Sequence, residues 1–260
     1  MIEQIIFLGS GGGRLTLANQ VVGTGGFIIK TQGYQIWVDP GVGALVRAKQ
    51  QGVIPSATDI IFVSHHHLDH SNDLNALIDA MSIGKKRKKG ILISTETTIN
   101  GTNTESPILL KYYRTMLKGI YAVKPGDKVK VGPLTFEALP TKHDCETIGL
   151  KLYMPNRTLV YTSNTGPMPE LAEAYKGCDI LIADVLRPGT EQWGTHFSSG
   201  DVIELFQKVK PKLAIISHFG KKMLRANPLQ EARIIAQKSG VTVFAAREGM
   251  KIDLNTLFVS

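Results

Sequence analysis

The sequence predicts an α/β fold in which two β-sheets pack together with helices on the outside. Short apolar runs separated by turn residues open the chain, and strand-like and helix-like segments alternate from residue 167 onward. The 260 residues can also bury a substantial core. Because α/β folds of this size often form one domain, we expect residues 1–260 to be a single domain.

The predicted strands are short apolar runs bounded by turn residues. Residues 26–30 and 34–40 form an antiparallel pair, with Gln32 and Gly33 at the turn between them. The other predicted strands lie at residues 2–8, 59–63, 91–94, 127–131, 134–139, 148–154, 158–162, 179–185, 213–217 and 241–244.

Helices are predicted where apolar residues recur three or four positions apart. Leu74, Leu77, Ile78 and Met81 form one such set. The other predicted helices lie at residues 43–52, 107–117, 167–176, 199–209 and 227–239. The helix at 107–117 opens with Pro107, which suits a first helical position. Residues 95–106 are predicted to be a polar loop, and long polar loops in compact domains are often functional.

The chain is basic, with a formal net charge of +8. Five of its cations form the run KKRKK at residues 85–89. The run indicates either contact with an anionic substrate or nucleic acid, or an ordinary solvated loop.

The cysteine content and the apolar runs indicate a cellular location. Two cysteines, Cys145 and Cys178, are too few for a disulfide framework and suit a reducing compartment. The N-terminus has too short an apolar run for a signal peptide, and no run reaches the roughly 18 residues that a membrane span needs. We therefore expect a cytoplasmic protein with no membrane partner.

A histidine cluster indicates a metal site. It follows the apolar run at 60–63 and comprises His65, His66, His67 and His70, with Asp69 beside the last. Loops that leave strand ends are where α/β proteins place chemistry. In an extended segment His65 and His67 leave on the same face and His66 points away. Imidazole and carboxylate are common ligands of zinc and related ions, so a site with an open position for water is predicted.

The other three histidines, His143, His196 and His218, also lie in loops that flank predicted strands. One histidine in such a position is more often structural. Three histidines in such loops favour an arrangement in which their side chains lie at the same edge of the fold as the histidine cluster.

With these residues the chain resembles the metallo-β-lactamase fold hydrolases. Residues 65–70 match their HxHxDH signature, and TKHD around His143, YTSNTG around Asn164 and AIISHFG around His218 follow in the same order. The resemblance covers nearly the whole chain. It implies a four-layer αββα sandwich of two mixed sheets.

The resemblance also implies two divalent metal ions, for which we expect zinc or manganese. Carried over residue by residue, the ligands of one metal are His65, His67 and His143, and those of the second are Asp69, His70 and His218. Position 164 corresponds to a bridging Asp in the family, but this chain has Asn164.

Features that this sequence lacks exclude several branches of the family. His67 stands where the iron-binding, flavodoxin-linked oxidoreductases have Glu, and the chain is too short for an inserted nuclease domain. Only 31 residues separate Asn164 from His196, which leaves no room for the arm that grips tRNA in tRNA 3′-processing enzymes. RNA stays open as a partner, without that arm.

His196 favours the phosphodiesterase branch, where a histidine outside the metal shell donates a proton. Asp184, on the preceding strand, is the candidate carboxylate that orients His196 and raises its pKa. The chain is similar to small phosphodiesterases acting on phosphoribosyl cyclic phosphate or cyclic nucleotides, and to the core of tRNA 3′-processing endonucleases. This similarity implies a small phosphodiester or nucleotide substrate and a homodimer.

In the mechanism that the resemblance implies, the two ions lower the pKa of a bound water and clamp the reacting oxygens. Asp69 can also orient the hydroxide, and His196 donates a proton to the leaving group. Asn164 has one amide oxygen and no charge, so it offsets the repulsion between the two metal ions less than Asp would. The second metal site is therefore expected to be weaker. Three interpretations stay open: a natural variant with one tight and one weak metal, an introduced substitution, and a catalytically quiet member.

Three further residues are candidates for substrate contact: Arg14, Tyr112 and Tyr113. Arg14 follows the glycine-rich segment 9–13, which is either a tight turn or a backbone approach to phosphate. Two alternatives to a phosphodiesterase remain. One is a lactone or thioester hydrolase of the same fold, and the other is a nucleotide- or RNA-binding member without catalysis.

Overall fold

The computed structural model describes residues 3–256, which divide into two compact units. The first unit comprises residues 3–10, 20–123 and 247–256, and the second comprises residues 11–19 and 124–246. Each unit contains one mixed β-sheet accompanied by helices. The predicted α/β class and the two mixed sheets flanked by helices are thus confirmed. The single-domain boundaries at 1–260 stay a prediction.

The strands of the described residues are β1 (Gln4–Phe7), β2 (Phe27–Thr31), β3 (Tyr34–Val38), β4 (Ile60–Val63), β5 (Ile91–Ser94), β6 (Gly119–Ala122), β7 (Lys128–Val131), β8 (Leu134–Leu139), β9 (Gly149–Met154), β10 (Arg157–Tyr161), β11 (Ile180–Arg187), β12 (Phe197–Ser198), β13 (Leu213–Ser217), β14 (Val243–Ala245) and β15 (Lys251–Asp253). Residue 2, where the first strand was predicted to begin, lies outside the described residues.

The helices of the described residues are α1 (Arg14–Asn19), α2 (Ala44–Gln50), α3 (Leu68–Ser71), α4 (Leu74–Ser82), α5 (Glu96–Asn100), α6 (Lys111–Arg114), α7 (Leu171–Tyr175), α8 (Ser199–Val209), α9 (Lys221–Ala226) and α10 (Pro228–Ser239). A 3-10 helix covers Pro55–Ala57. None of these helices is long and apolar enough to cross a lipid bilayer.

The sheet of the first unit has the strand order β15-β1-β2-β3-β4-β5-β6. Neighbours are antiparallel from β15 to β3 and parallel from β3 to β6. Gln32 and Gly33 join β2 to β3 with φ values of 50° and 81°, as a tight hairpin requires. The core of the unit includes Trp37 and Leu77, both fully buried.

The sheet of the second unit has the strand order β14-β13-β11-β10-β9-β8-β7, and β12 pairs with β11. Neighbours are parallel from β14 to β10 and antiparallel from β10 to β7. Helix α8 begins with a capping box in which Ser198 and Asp201 satisfy each other's backbone N–H groups. Its apolar face, with Val202 and Phe206, joins the core of the unit.

The segment 95–117 differs from its prediction. The predicted polar loop contains α5, whose first turn is capped by the Thr95 hydroxyl. The helix predicted at 107–117 is reduced to α6, because the preceding backbone is hydrogen-bonded elsewhere. Asn75 donates to the Ile108 carbonyl at 2.8 Å and accepts from the Leu110 N–H at 3.1 Å.

Other boundaries also differ from prediction. Helix α7 is shorter than the predicted 167–176, and α1, α9 and β6 were not predicted. By contrast, α8 and β13 have the predicted bounds.

Candidate functional site

Strand β4 carries the histidine cluster to the carboxyl end of the first unit's sheet. It lies between β3 and β5, and its four residues are all buried. The chain then passes through residues 64–67 and enters α3, which contains Asp69 and His70. A buried strand therefore leads into the loop, as the sequence predicted, and the structure shows that this strand is central and parallel to both neighbours.

Asp39, which follows β3, connects the backbone of this loop to its side chains. Its carboxylate accepts hydrogen bonds from the Ser64 N–H and the Ser64 hydroxyl, both at 2.7 Å. The same carboxylate lies 2.8 Å from His70 Nδ1. Asp39 is 1% exposed. The sequence analysis did not assign it, although an acidic residue at the end of a neighbouring strand was a usable signal.

His65 and His67 present two nitrogen atoms side by side. His65 Nε2 and His67 Nδ1 are 3.1 Å apart, while His65 Nδ1 is 2.9 Å from the Ser64 hydroxyl oxygen. Two nitrogens at about 2.0–2.1 Å from one tetrahedral zinc are about 3.3 Å apart. The pair thus fits two ligands of one ion, and Ser64 fixes the ring of the first.

His70 and Asp69 form a second pair of donor groups. Asp39 contacts Nδ1 of His70, so Nε2 lies on the other side of the ring, 3.7 Å from an Asp69 carboxylate oxygen. A carboxylate behind a histidine is the usual support for an imidazole that binds metal. His66 is turned toward Glu105, with 3.9 Å between Nε2 and the carboxylate.

In the second unit, His143 follows β8. Its Nδ1 lies 3.1 Å from the Thr195 hydroxyl and its Nε2 lies 3.0 Å from the Asp144 carboxylate. The ring also packs edge-on against His196, with 4.9 Å between the centroids. The sequence analysis did not assign Thr195, which is distant from His143 in sequence.

His196 lies between the other two histidines of this unit. Its ring stacks on His218, with centroids 5.9 Å apart and planes at 20°. His218 follows β13 and is 4% exposed. The structure thus brings His143, His196 and His218 together within the second unit.

The glycine-rich segment accommodates the His218 ring. A Cβ at Gly12 would overlap ring atoms of His218. The Gly12 N–H and the Thr16 hydroxyl each donate to the Phe219 carbonyl at 3.2 Å, which fixes the segment against the chain that follows His218. The requirement for glycine at position 12 is therefore steric.

Asp184 and Asn164 are both buried, at 5% and 2% exposure. Tyr161 donates its hydroxyl to Asp184 at 2.9 Å, a partner that the sequence analysis did not assign. The predicted hydrogen bond from the His196 ring to the Asp184 carboxylate stays a prediction.

Three non-glycine residues that follow strands near candidate site residues have a left-handed backbone conformation. Asp39, Ser163 and His218 have φ values of 52°, 55° and 62°. Each is itself a candidate site residue or precedes one. Such conformations cost about 1–3 kcal/mol and are concentrated at functional sites.

The candidate substrate residues lie in different environments. Arg14 is exposed at the start of α1. Tyr112 is 57% exposed and lies edge-on to Tyr113, which packs against the first unit's core. Lys85, the first residue of the basic run, lies over the Tyr112 ring at 5.2 Å.

A known family model matches most of the chain. The model of the Beta-lactamase superfamily domain matches residues 34–219.

Several curated proteins are similar over most of the chain. Protein MJ1374 of Methanocaldococcus jannaschii, which is uncharacterized, is 37% identical over 257 residues, covering 98% of this chain and 96% of that protein. The probable metallo-hydrolase YhfI of Bacillus subtilis is 28% identical over 174 residues, covering 66% and 68%. Ribonuclease Z of Methanopyrus kandleri is 20% identical, covering 95% and 96%.

Several solved structures share the fold. The crystal structure of the metallo-β-lactamase fold protein YhfI from Bacillus subtilis superposes with a TM-score of 0.80 at 21% identity, covering 97% of this chain and 100% of that one. A diphosphatase of the PhnP family superposes with a TM-score of 0.72 at 17% identity, covering 98% of each chain.

Proposed function

The chain belongs to the β-lactamase superfamily, and from that premise we propose that it is a metal-dependent phosphodiesterase acting on a small cyclic or nucleotide-like phosphodiester. The observation that carries the proposal is the donor arrangement of the first unit. His65 and His67 present two nitrogens 3.1 Å apart, and Asp39 orients His70. A histidine and carboxylate set of this kind suits zinc or manganese.

The proposed metal ligands are those that the resemblance implies. They are His65, His67, Asp69, His70, His143, Asn164 and His218. Bound divalent ions would supply positive charge for the non-bridging oxygens and lower the pKa of an attacking water. Asp69 would accept a hydrogen bond from that water and orient it. Asn164 offers one uncharged oxygen, so we expect weaker affinity for a second ion.

His196 is the proposed proton donor. A protonated imidazole can give its proton to the leaving alkoxide, which otherwise departs as an unstable anion. The T-shaped contact with the His143 ring limits how His196 can turn. Asp184 would favour the protonated form through its negative charge, and the Tyr161 hydroxyl holds that carboxylate in place.

The activities named for similar proteins also support phosphoester chemistry. They include a ribonuclease and a diphosphatase.

The proposal further includes a homodimer and a cytoplasmic location. Light scattering during size exclusion would test the dimer, which should have twice the chain mass of 28.4 kDa.

A substrate panel tests the function. The protein loaded with zinc or manganese should cleave bis-p-nitrophenyl phosphate and a 3′,5′-cyclic nucleotide faster than a lactone or a thioester. The His196→Ala variant should lose about 100-fold or more on the cyclic nucleotide. It should lose much less on the p-nitrophenyl ester, because p-nitrophenolate leaves without a proton. The matched control is His66→Ala. Hydrolysis of the lactone or thioester without phosphodiester cleavage would overturn the proposal.

A second candidate function is nucleic-acid binding without catalysis. It is favoured by residues 85–88 of the basic run, which are exposed, and by Lys85, which lies over an exposed aromatic ring. Cations interleaved with aromatic side chains suit the phosphates and bases of a single strand.

A further inference from the structure

Trp193 is an exposed aromatic side chain joined to the proposed proton donor. Trp193 is 55% exposed. Its backbone forms an antiparallel bridge with His196, whose N–H donates to the Trp193 carbonyl at 3.2 Å. Gly194, with φ of 55°, allows this tight turn. The position of Trp193 is therefore fixed relative to the backbone of His196.

The indole is also held on one face. The guanidinium carbon of Arg187 lies 4.4 Å from its ring centroid. Arg187 ends β11 with a side chain only 14% exposed, and it lies 3.4 Å from Glu191. Glu191 in turn accepts a hydrogen bond from Lys222 at 2.6 Å. Ionic contacts thus anchor the cation beneath the indole.

The same turn reaches a proposed metal ligand. Thr195, between Trp193 and His196, lies 3.1 Å from His143 Nδ1. A single isolated apolar residue on a protein surface usually carries no function. Trp193 differs, because it belongs to the same four-residue turn, residues 193–196, as the proposed proton donor His196. The turn also contains Thr195, which contacts the proposed metal ligand His143.

We propose that Trp193 is a specificity-determining residue that stacks on the nucleobase of the substrate. This inference rests on the proposed function and narrows the substrate class to phosphodiesters that carry a planar base. A preordered aromatic face loses little conformational freedom on binding, and stacking of one base strengthens binding by about 5- to 150-fold.

Tryptophan fluorescence tests the stacking without turnover. The sequence contains two tryptophans, and Trp37 is fully buried while Trp193 is exposed. Adenosine 5′-monophosphate, added to the zinc-loaded protein, should quench the emission, and ribose 5-phosphate should not. The Trp193→Phe variant should show no quenching, because only the buried tryptophan remains.

Equilibrium dialysis measures the affinity in the variants. The Trp193→Ala substitution should raise the Kd for adenosine 5′-monophosphate about tenfold and leave that for ribose 5-phosphate unchanged, while Trp193→Phe should largely restore binding. The control Tyr121→Ala removes another exposed ring, 43% exposed on β6, and should change neither Kd.

The outcomes separate this inference from the proposed function. Equal Kd values for adenosine 5′-monophosphate in the parent and in Trp193→Ala, or no binding of it at all, would overturn the stacking even if phosphodiesters are hydrolysed. Base-dependent quenching without any phosphodiester hydrolysis would support the stacking and count against the catalytic proposal alone.

Discussion

The carboxylate of Asp39 lies 2.8 Å from Nδ1 of His70, and both side chains are almost fully buried. The same carboxylate binds the backbone and hydroxyl of Ser64, which precedes His65. One acidic residue therefore orients one histidine of the cluster and holds the backbone that leads to the others.

Replacing Asp39 should weaken metal binding. Asp39→Asn removes the charge behind His70, and loss of such a supporting group typically lowers metal affinity about 10- to 100-fold. Zinc competition against a chromophoric chelator would measure the change. Asp79→Asn is the control, because Asp79 lies on α4 outside the cluster. Equal zinc affinity in the parent and in Asp39→Asn would contradict the assigned role.

Gly12 should not tolerate a side chain. Gly12→Ala places a methyl group against the His218 ring, so the ring or the glycine segment must shift. We expect a loss of about 1–3 kcal/mol in the free energy of unfolding, as in other overpacked sites. Urea denaturation measures this loss. The nearby Leu15→Ala change affects a side chain that is 61% exposed and should cost far less. An unchanged midpoint for Gly12→Ala would refute the steric account.

The two cysteines should differ in reactivity. Burial raises the pKa of the Cys178 thiol from its ordinary 9.0 to about 12, whereas Cys145 is partly exposed. At pH 8 a thiol with a pKa near 12 is about 0.01% thiolate. Ellman's reagent should therefore titrate one thiol quickly in the native protein and two in denaturant. Cys145→Ser should remove the fast thiol, and a second fast thiol in the native protein would contradict this prediction.

The buried thiol also makes stability depend on pH. The unfolded chain releases the Cys178 proton above about pH 9, while the folded chain retains it until about pH 12. The contribution of this group to stability is therefore complete below pH 9 and is lost as pH rises through that interval. Cys178→Ala should flatten the decline in stability between pH 9 and 10.5, as measured by urea denaturation. An identical decline in both proteins would show that other groups cause it.

The basic run should dominate any binding of nucleic acid. Within residues 3–256, Lys85, Lys86 and Lys88 form no ion pair. Changing all three to Gln should weaken binding of a labelled single-stranded RNA. It should also reduce the salt slope by about 2, since each single-strand phosphate contact contributes about 0.7. Fluorescence anisotropy across a salt series measures both effects.

A control for the basic run removes the same charge elsewhere. Lys208, Lys221 and Lys238 are exposed in the second unit, so their triple change to Gln matches the loss of charge. Similar losses of affinity in the two triple variants would mean that net charge, and not the run at 85–89, governs binding.

Local pattern predicted the elements that carry the candidate site, and long-range contacts account for what it missed. The histidine loop follows a buried strand as expected, since an apolar run and its end are visible in the sequence. The roles of Asp39, Tyr161 and Thr195 depend on partners 31, 23 and 52 residues away. Partners so distant in sequence cannot be inferred from the local spacing of apolar residues.

The helix error at 107–117 has the same origin. Its apolar spacing fitted a helix, but Asn75 occupies the backbone groups of Ile108 and Leu110. A tertiary hydrogen bond therefore overrode the local preference. The shape required at Gly12 is likewise set by His218, more than two hundred residues away in sequence.

The central claim is metal-dependent phosphodiester cleavage limited by Asn164. The most direct test compares the cleavage of bis-p-nitrophenyl phosphate by the parent chain and by Asn164→Asp, each with zinc or manganese. Asn103→Asp, which adds the same charge at an exposed position, is the control. We predict a rate gain of about 100-fold or more for Asn164→Asp, equivalent to about 2.7 kcal/mol of barrier, and none for the control. No phosphodiester cleavage by either protein would contradict the claim.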